Sequence, residues 1–235
     1  VNPLGMPNFV WEAAQRSIAF CTGYPDSSCE NLRGRLSEIT GVPEDQMIFG
    51  NGAAELIFRL VQEVRPKKAV IPAPSFAEYE TALRSCGTEI AFFYLKEAES
   101  FFLNISEFLD FLRAEQPEII FLCTPANPTG AIIRQADLSK ILDYCRKQRS
   151  CGCIREFLDW ETGRPEHGGS LFLLRAFTKT YAMAGLRLGY GFCTSRELLE
   201  RMEENWQPWS VSIPAQEAGY AALSEERIPF LKKMR

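Results

Sequence analysis

Apolar residues along the chain form short runs that are followed by turn residues and then by amphipathic stretches. This alternation is typical of β-loop-α units in a largely parallel sheet. In one amphipathic stretch, Leu56, Ile57, Leu60 and Val61 form a single apolar stripe at helical spacing. We therefore predict strands at residues 47–49, 69–71, 90–95, 119–123, 171–174 and 188–192, and helices at residues 53–64, 105–115, 135–148 and 195–206.

The pattern runs through the chain without an internal repeat or a linker rich in glycine, serine or proline. The 235 residues are 46% hydrophobic and 24% charged, which is an ordinary globular composition. We predict one continuous α/β domain, with a mostly parallel sheet and helices on both faces.

Charge and hydropathy narrow the function classes. Lys and Arg total 26 against 30 Asp and Glu, the net charge is -4, and there is no long basic run, which disfavours nucleic acid as a partner. No apolar run approaches the roughly 18 residues of a membrane span, and the first residues lack the features of a signal peptide. We expect a cytoplasmic protein with no membrane partner.

The eight cysteines are not spaced as disulfide or redox motifs, because none forms C-x-x-C. We expect reduced and mostly buried thiols. A zinc site is a weaker alternative, since the chain has a single histidine, His167, and zinc loops favour a spacing of two to four residues between cysteines. The cysteines in apolar or helical contexts are Cys86, Cys123, Cys145 and Cys193, and the alternative zinc group is Cys145, Cys151 and Cys153.

The loop at residues 50–55, with the sequence GNGAAE, follows a predicted strand and opens a predicted helix. Its glycines allow a sharp turn, and the small residues leave the first helical amides open to an anion such as phosphate. The loop also resembles the start of a dinucleotide fingerprint, which would indicate an oxidoreductase. That alternative requires an acidic residue at the end of the next strand. The chain has VIPAP there, at residues 70–74, and this segment contains no acidic residue. A turn without a ligand also remains open.

Three further loops follow predicted strands and present candidate chemistry. Phe76 could lie flat on a planar ring or pack in the core. Asn127 is held between prolines with its amide free to point. Lys179 stands beside Thr178 among small and apolar residues, so it could be desolvated and nucleophilic, or it could be an ordinary surface lysine. Arg187 comes eight positions after that lysine.

In this order, the loops resemble the fold-type I pyridoxal-phosphate enzymes, the aspartate aminotransferase superfamily. The resemblance is greatest to the branch of threonine-phosphate decarboxylases and histidinol-phosphate aminotransferases. It implies a PLP-dependent transferase-like large domain, with an N-terminal segment at residues 1–30 and an α/β core at residues 31–235. The motifs outside the loops are NPLG at residues 2–5, YPD at 24–26, PWSV at 208–211 and AQ at 215–216.

The resemblance implies a role for each candidate residue. Lys179 matches the lysine that attaches pyridoxal 5'-phosphate and moves protons at the substrate Cα. Ala53 and Ala54 match the loop whose amides receive the cofactor phosphate, together with the Thr178 hydroxyl and the Arg187 guanidinium, which are donors suited to a dianion.

Four other matches complete the implied site. Phe76 matches the aromatic residue stacked on the pyridine ring, and Asn127 matches the amide that bonds the ring hydroxyl. Tyr24 matches a tyrosine that reaches the cofactor phosphate of the neighbouring subunit, which implies a homodimer. Asn2 matches a position near the substrate.

We therefore predict an enzyme that acts on a small phosphorylated amino acid, with decarboxylation of L-threonine-O-3-phosphate in cobalamin biosynthesis as the leading activity. Transamination of histidinol phosphate or a related aminotransferase reaction is the alternative. Outside this class, a nucleotide-dependent oxidoreductase and a cofactor-free interaction protein remain as hypotheses. A hydrolase is disfavoured because the chain lacks a G-x-S-x-G elbow.

The sequence departs from the family pattern at the pyridine-nitrogen position, at a phosphate-binding position and in its length. The aspartate that keeps the pyridine nitrogen protonated aligns with Ile154 or Arg155, while Asp159 would point to the opposite face of a strand. Ala176 replaces a phosphate-binding hydroxyl, and the connection at residues 161–170 is short. The C-terminal small domain that binds the substrate carboxylate is absent or incomplete. We expect that residues are missing at both ends and near residues 152–168, rather than that the relative is divergent.

Overall fold

Seven strands form one sheet in the part of the chain that the computed structural model describes, residues 1–148, 151–156 and 171–234. Their spatial order is β1-β7-β6-β5-β4-β2-β3. β7 is antiparallel to both of its neighbours, and all other pairs are parallel, which confirms a mostly parallel sheet. The strands are β1 (Met47–Asn51), β2 (Lys68–Ala73), β3 (Glu89–Tyr94), β4 (Ile119–Thr124), β5 (Cys151–Glu156), β6 (Leu171–Ala176) and β7 (Leu188–Cys193).

Helices connect the strands and cover both faces of the sheet. Local signals explain several boundaries: the Asn104 side chain accepts bonds from the first amides of α5, and Ser195 and Ser212 cap α7 and α8 in the same way. The helices are α1 (Asn8–Ser17), α2 (Glu30–Thr40), α3 (Gly52–Val64), α4 (Ala77–Ser85), α5 (Ile105–Glu115), α6 (Gln135–Gln148), α7 (Arg196–Glu204), α8 (Ile213–Ala222) and α9 (Arg227–Met234).

Alternate side chains of the strands other than β5, of which only the backbone is described, enter two separate hydrophobic cores. In β4, Ile120 and Leu122 join a core with α1, α2, α5, α6 and α8, whereas Phe121 joins a core with α3, α4 and α7. This alternation is the period of two that a pleated strand imposes. Helices on both faces are thereby confirmed.

The predicted strands and helices are all present, with boundaries that differ by at most two residues. Other elements were not predicted, because their sequences lack a strong period. β5 has the sequence CGCIRE and is stabilised by pairing with β4 and β6, while α8 is rich in alanine and packs on α1 and α2. Tertiary contacts therefore decide these elements. The unpredicted elements are β5, α1, α2, α4, α8 and α9.

The reversal at β7 controls where the loops emerge. Because β7 is antiparallel to both β1 and β6, these two strands run in the same direction, which β2 and β4 share. The carboxyl ends of β1, β2, β4 and β6 therefore lie at one edge of the sheet, where open α/β sheets bind ligands. All four candidate loops begin at this edge.

The described cysteines are free thiols, and most of them are buried, as expected. Cys29, Cys123, Cys145 and Cys193 are buried, Cys86 is partly buried, and Cys21 is exposed. Burial raises the pKa of the Cys29 and Cys145 thiols to about 12. The side chains of Cys151 and Cys153, and also His167, lie outside the described residues. Among the helices that the structure describes, none is long and apolar enough to cross a bilayer.

Candidate active site

The N-terminus of α3 is the central feature of this edge. Gly52 is the first residue of the helix and has φ +78°. The side chain of the N-cap residue, Asn51, accepts no hydrogen bond from the first amides of the helix. A Cβ atom on Gly52 would lie 2.5 Å from Nη2 and 2.9 Å from Cζ of Arg187. The glycine therefore allows a guanidinium to pack directly against a helix N-terminus, which is a favourable place for an anion.

The start of β7 fixes this arrangement. The β1–β7 register sets Leu188 opposite Asn51 and Gly189 opposite Gly50. A Cβ on Gly189 would collide with the Ala53 amide nitrogen and would lie 2.5 Å from the Gly52 carbonyl carbon. Gly189 thus lets α3 pack closely on β7, a role that we did not predict. In the sequence, the alternating glycines at 189 and 191 within an apolar strand could have indicated this close approach.

Glu55 stands in the first turn of α3, where its charge would repel or compete with a bound anion near it. Its carboxylate is instead paired at 2.9 Å with Arg59, whose side chain is only 6% exposed. Arg59 also donates to the Ser210 hydroxyl at 3.1 Å. Burial lowers the pKa of the Arg59 guanidinium, and the Glu55 charge opposes this effect. The pair neutralises the acid and connects α3 to the segment before α8.

Lys179 lies in a turn after β6, and the N-terminal segment is attached to this turn. The Asn2 amide donates to the Lys179 carbonyl at 3.0 Å, and Asn2 Nδ2 donates to the Thr180 carbonyl at 2.9 Å. The structure therefore places Asn2 beside Lys179 across 177 positions of sequence. Lys179 is exposed in this structure, as the alternative of a surface lysine expects, and its role as the nucleophile stays a prediction.

Phe76 and Asn127 follow β2 and β4 at the same edge. Phe76 is partly exposed and meets Tyr79 edge to face, with ring centroids 5.6 Å apart. Asn127 is exposed on a tight loop closed by bonds from the Gly130 amide to the Ala126 carbonyl and from the Ala126 amide to the Ala131 carbonyl, at 2.8 and 2.7 Å. At this edge, Phe76 is thus partly exposed and Asn127 is exposed.

Tyr24 is not part of this group of loops. Its ring is 79% exposed and stacks on Trp209, with centroids 4.5 Å apart and an interplanar angle of 27°. Of the remaining predicted residues, Ala53 and Ala54 lie in the first turn of α3, Thr178 lies with Lys179 in the turn after β6, and Arg187 directly precedes β7.

Positions that depart from the family pattern lie in and after β5 and β6. Ile154 and Arg155 belong to β5, between β4 and β6, but only the backbone of this strand is described. Ala176 ends β6 and pairs with Gly189. Asp159 and residues 161–170 lie outside the described residues.

Comparison with known proteins decides the family. A model of aminotransferase class I and II matches residues 2–235. The chain therefore belongs to the aminotransferase class I and II family. This family depends on pyridoxal phosphate.

Individual members of the family are similar to this chain along most of its length. Threonine-phosphate decarboxylase of Salmonella typhimurium is 35% identical over 234 residues, covering 96% of this chain and 63% of that protein. Histidinol-phosphate aminotransferase of Methanosarcina barkeri is 33% identical over 230 residues, covering 95% and 62%. The chain thus spans less than two thirds of the length of these relatives.

A solved structure agrees with the fold. The histidinol-phosphate aminotransferase from Clostridium acetobutylicum superimposes with a TM-score of 0.85 at 25% identity, covering 100% of this chain and 70% of that one. The family and the sheet both argue against the dinucleotide alternative. The glycine loop follows β1, an edge strand antiparallel to its neighbour, whereas the dinucleotide fold sets this loop after a central parallel strand.

Proposed function

We propose that this chain binds pyridoxal 5'-phosphate at the edge formed by β1, β2, β4 and β6, and that the protein acts on a phosphorylated amino acid. The observation that carries the proposal is the α3 N-terminus, where Gly52 leaves room for the Arg187 guanidinium and the N-cap side chain bonds none of the first helical amides. A helix N-terminus together with a guanidinium provides the donors that a phosphate dianion requires. The residues present therefore fit the cofactor phosphate.

Each predicted residue has a physical task in this proposal. The amides of Ala53 and Ala54, the Thr178 hydroxyl and Arg187 would hold the phosphate. Lys179, through Nζ, would attach the cofactor and move a proton at the substrate Cα.

The remaining contacts would orient the ring and the substrate. Phe76 would lie against the ring, and the Asn127 amide would bond the ring hydroxyl. Asn2, held at the Lys179 turn, would face the substrate, and Tyr24 would serve the site of a second subunit. When bound, pyridoxal 5'-phosphate supplies an electron sink for negative charge at Cα.

We favour decarboxylation of L-threonine-O-3-phosphate, as a step toward cobalamin, over transamination of histidinol phosphate. The similarity to the Salmonella decarboxylase and the PWSV segment at residues 208–211 support this order. The homodimer and the cytoplasmic location remain parts of the proposal. Release of carbon dioxide from threonine phosphate, without an amino acceptor, would separate the two reactions.

Titration of the purified chain with pyridoxal 5'-phosphate tests the cofactor proposal. We expect a visible absorbance band that borohydride reduction fixes covalently on Lys179 and that is lost in Lys179→Ala. Lys140→Ala, at an exposed lysine side chain of α6, is the matched control and should retain the band. A band that persists in Lys179→Ala would contradict the assignment of Lys179.

A further inference from the structure

Tyr24 and Trp209 form an exposed aromatic pair whose two members are 185 positions apart in sequence. The rings are stacked although they are 79% and 48% exposed. Exposed aromatic side chains ordinarily sample several rotamers, so a stacked pair at the surface restricts both rings. The pair therefore favours the stacked orientation of the Tyr24 ring.

The backbone on the Trp209 side is held in an uncommon conformation. Trp209 has φ +60°, in the left-handed region that a bulky residue seldom adopts, and it adopts this conformation between Pro208 and Ser210. The hydroxyl of Ser210 accepts a hydrogen bond from the buried Arg59. The segment that carries Trp209 is thus anchored to α3, the helix whose N-terminus forms the proposed phosphate site.

The Tyr24 segment is fixed to the same place by Gln216 of α8. Gln216 Nε2 donates to the Asp26 carbonyl at 2.8 Å and to the Val211 carbonyl at 2.9 Å. One side-chain amide thereby joins the chain two residues after Tyr24 to the chain two residues after Trp209. The two backbones are thereby held together close to the ring stack.

From this geometry we propose that Trp209 is a positioning residue for Tyr24, which orients the phenol toward the cofactor phosphate of a second copy of this chain. The inference deepens the proposed function and rests on it. Trp209 acts through the ring of Tyr24, and it supplies no proton or charge of its own. Removal of the ring of Trp209 should therefore weaken cofactor binding only while the Tyr24 hydroxyl is present.

A double-mutant cycle on the purified chain tests this coupling by equilibrium titration with pyridoxal 5'-phosphate. We expect Trp209→Ala to weaken the affinity about 3- to 10-fold, the range of an aromatic pair, and Trp209→Phe to weaken it less than about twofold. In the Tyr24→Phe background, Trp209→Ala should change the affinity less than about twofold. Phenylalanine keeps a bulky aromatic ring at the positive φ of Trp209, so Trp209→Phe is the variant that changes the backbone preference least.

Control variants separate this inference from a general effect of removing an exposed tryptophan and from misfolding of the variant. Trp11→Ala removes another exposed tryptophan, on α1, and should leave the affinity unchanged. If Trp209→Ala does not fold, Trp209→Leu against Trp209→Phe makes the same comparison, because leucine is apolar but lacks a ring. If Trp209→Ala weakens the cofactor affinity equally with Tyr and with Phe at position 24, the inference is overturned while the proposed function still stands. A wild-type chain that binds no cofactor would overturn the proposed function and this inference with it.

Discussion

At the residue scale, single polar side chains on helices support the segments that carry the candidate residues. Arg59 neutralises Glu55 in the first turn of α3, and Gln216 joins the Tyr24 segment to the Val211 segment. Arg59 was not a candidate from the sequence, and Gln216 stood only in the AQ motif without a partner, because one side chain on a helix gives no local signal of what it contacts. Lys179, Asn127 and Phe76 could be selected, because each follows a strand in a loop of unusual composition.

Asp26 stabilises the turn that carries Tyr24, and its titration gives a residue-scale prediction. Burial acts to raise the pKa of this carboxyl, but hydrogen bonds from Ser28 and from the Glu30 amide outweigh it, so the pKa lies below the ordinary value of 3.8. A carboxyl with a lowered pKa stabilises the fold above its unfolded-state pKa and loses this effect as the pH falls through the folded-state value.

We therefore expect Asp26→Ala to reduce the free energy of unfolding by about 1 kcal/mol at pH 7, the typical loss of a side chain that caps backbone amides. The difference from wild type should shrink as the pH falls below 3.8. Thermal unfolding from pH 3 to pH 7 checks this. Asp143→Ala, at an exposed ion pair on α6, is the control and should cost less at pH 7. A difference that is constant with pH would contradict the role of the Asp26 charge.

At the element scale, the close contact between β7 and α3 decides the shape of the proposed phosphate site. β7 reverses the sheet direction twice, and its first residues place Arg187 beside Gly52. The apolar runs predicted both β1 and β7 as strands. Their pairing was beyond the sequence pattern, because the β1–β7 contact joins residues about 140 positions apart and depends on the packing of the whole sheet.

Gly189→Ala tests this contact. The added methyl group would collide with the backbone of Gly52 and Ala53, which cannot move as a flexible side chain would. We expect a loss of about 1–3 kcal/mol in the free energy of unfolding, together with weaker binding of pyridoxal 5'-phosphate. Gly185→Ala is the matched control, since a Cβ there meets nothing within 4 Å. Equal stability and affinity of both variants would contradict the contact.

At the scale of the whole molecule, the exposed positions of Tyr24 and Lys179 fit a site that two copies complete. Tyr24 is 79% exposed, and the Lys179 side chain is also open to solvent. The proposed arrangement is a closed twofold dimer, in which the same surface of each copy contributes to the site of the other.

Mixing two defective variants tests the shared site. Unfolding and refolding Lys179→Ala together with Tyr24→Phe should form hybrid dimers, in which one site has both native residues. Random pairing gives about a quarter of all sites the native pair. Covalent incorporation of pyridoxal 5'-phosphate at limiting concentration should then exceed the mean of the two variants treated separately. Incorporation equal to that mean would contradict a site shared between subunits.

The sequence by itself determined the α/β class, the main strands and helices and the loops that carry the candidate residues. These features are local, since periodicity and turn composition act over a few residues. Only the tertiary structure decided that β7 is antiparallel, that Gly52 and Gly189 make room for Arg187 and α3, and that Trp209 stacks on Tyr24. These contacts join residues more than a hundred positions apart, and their geometry depends on close packing of the folded chain.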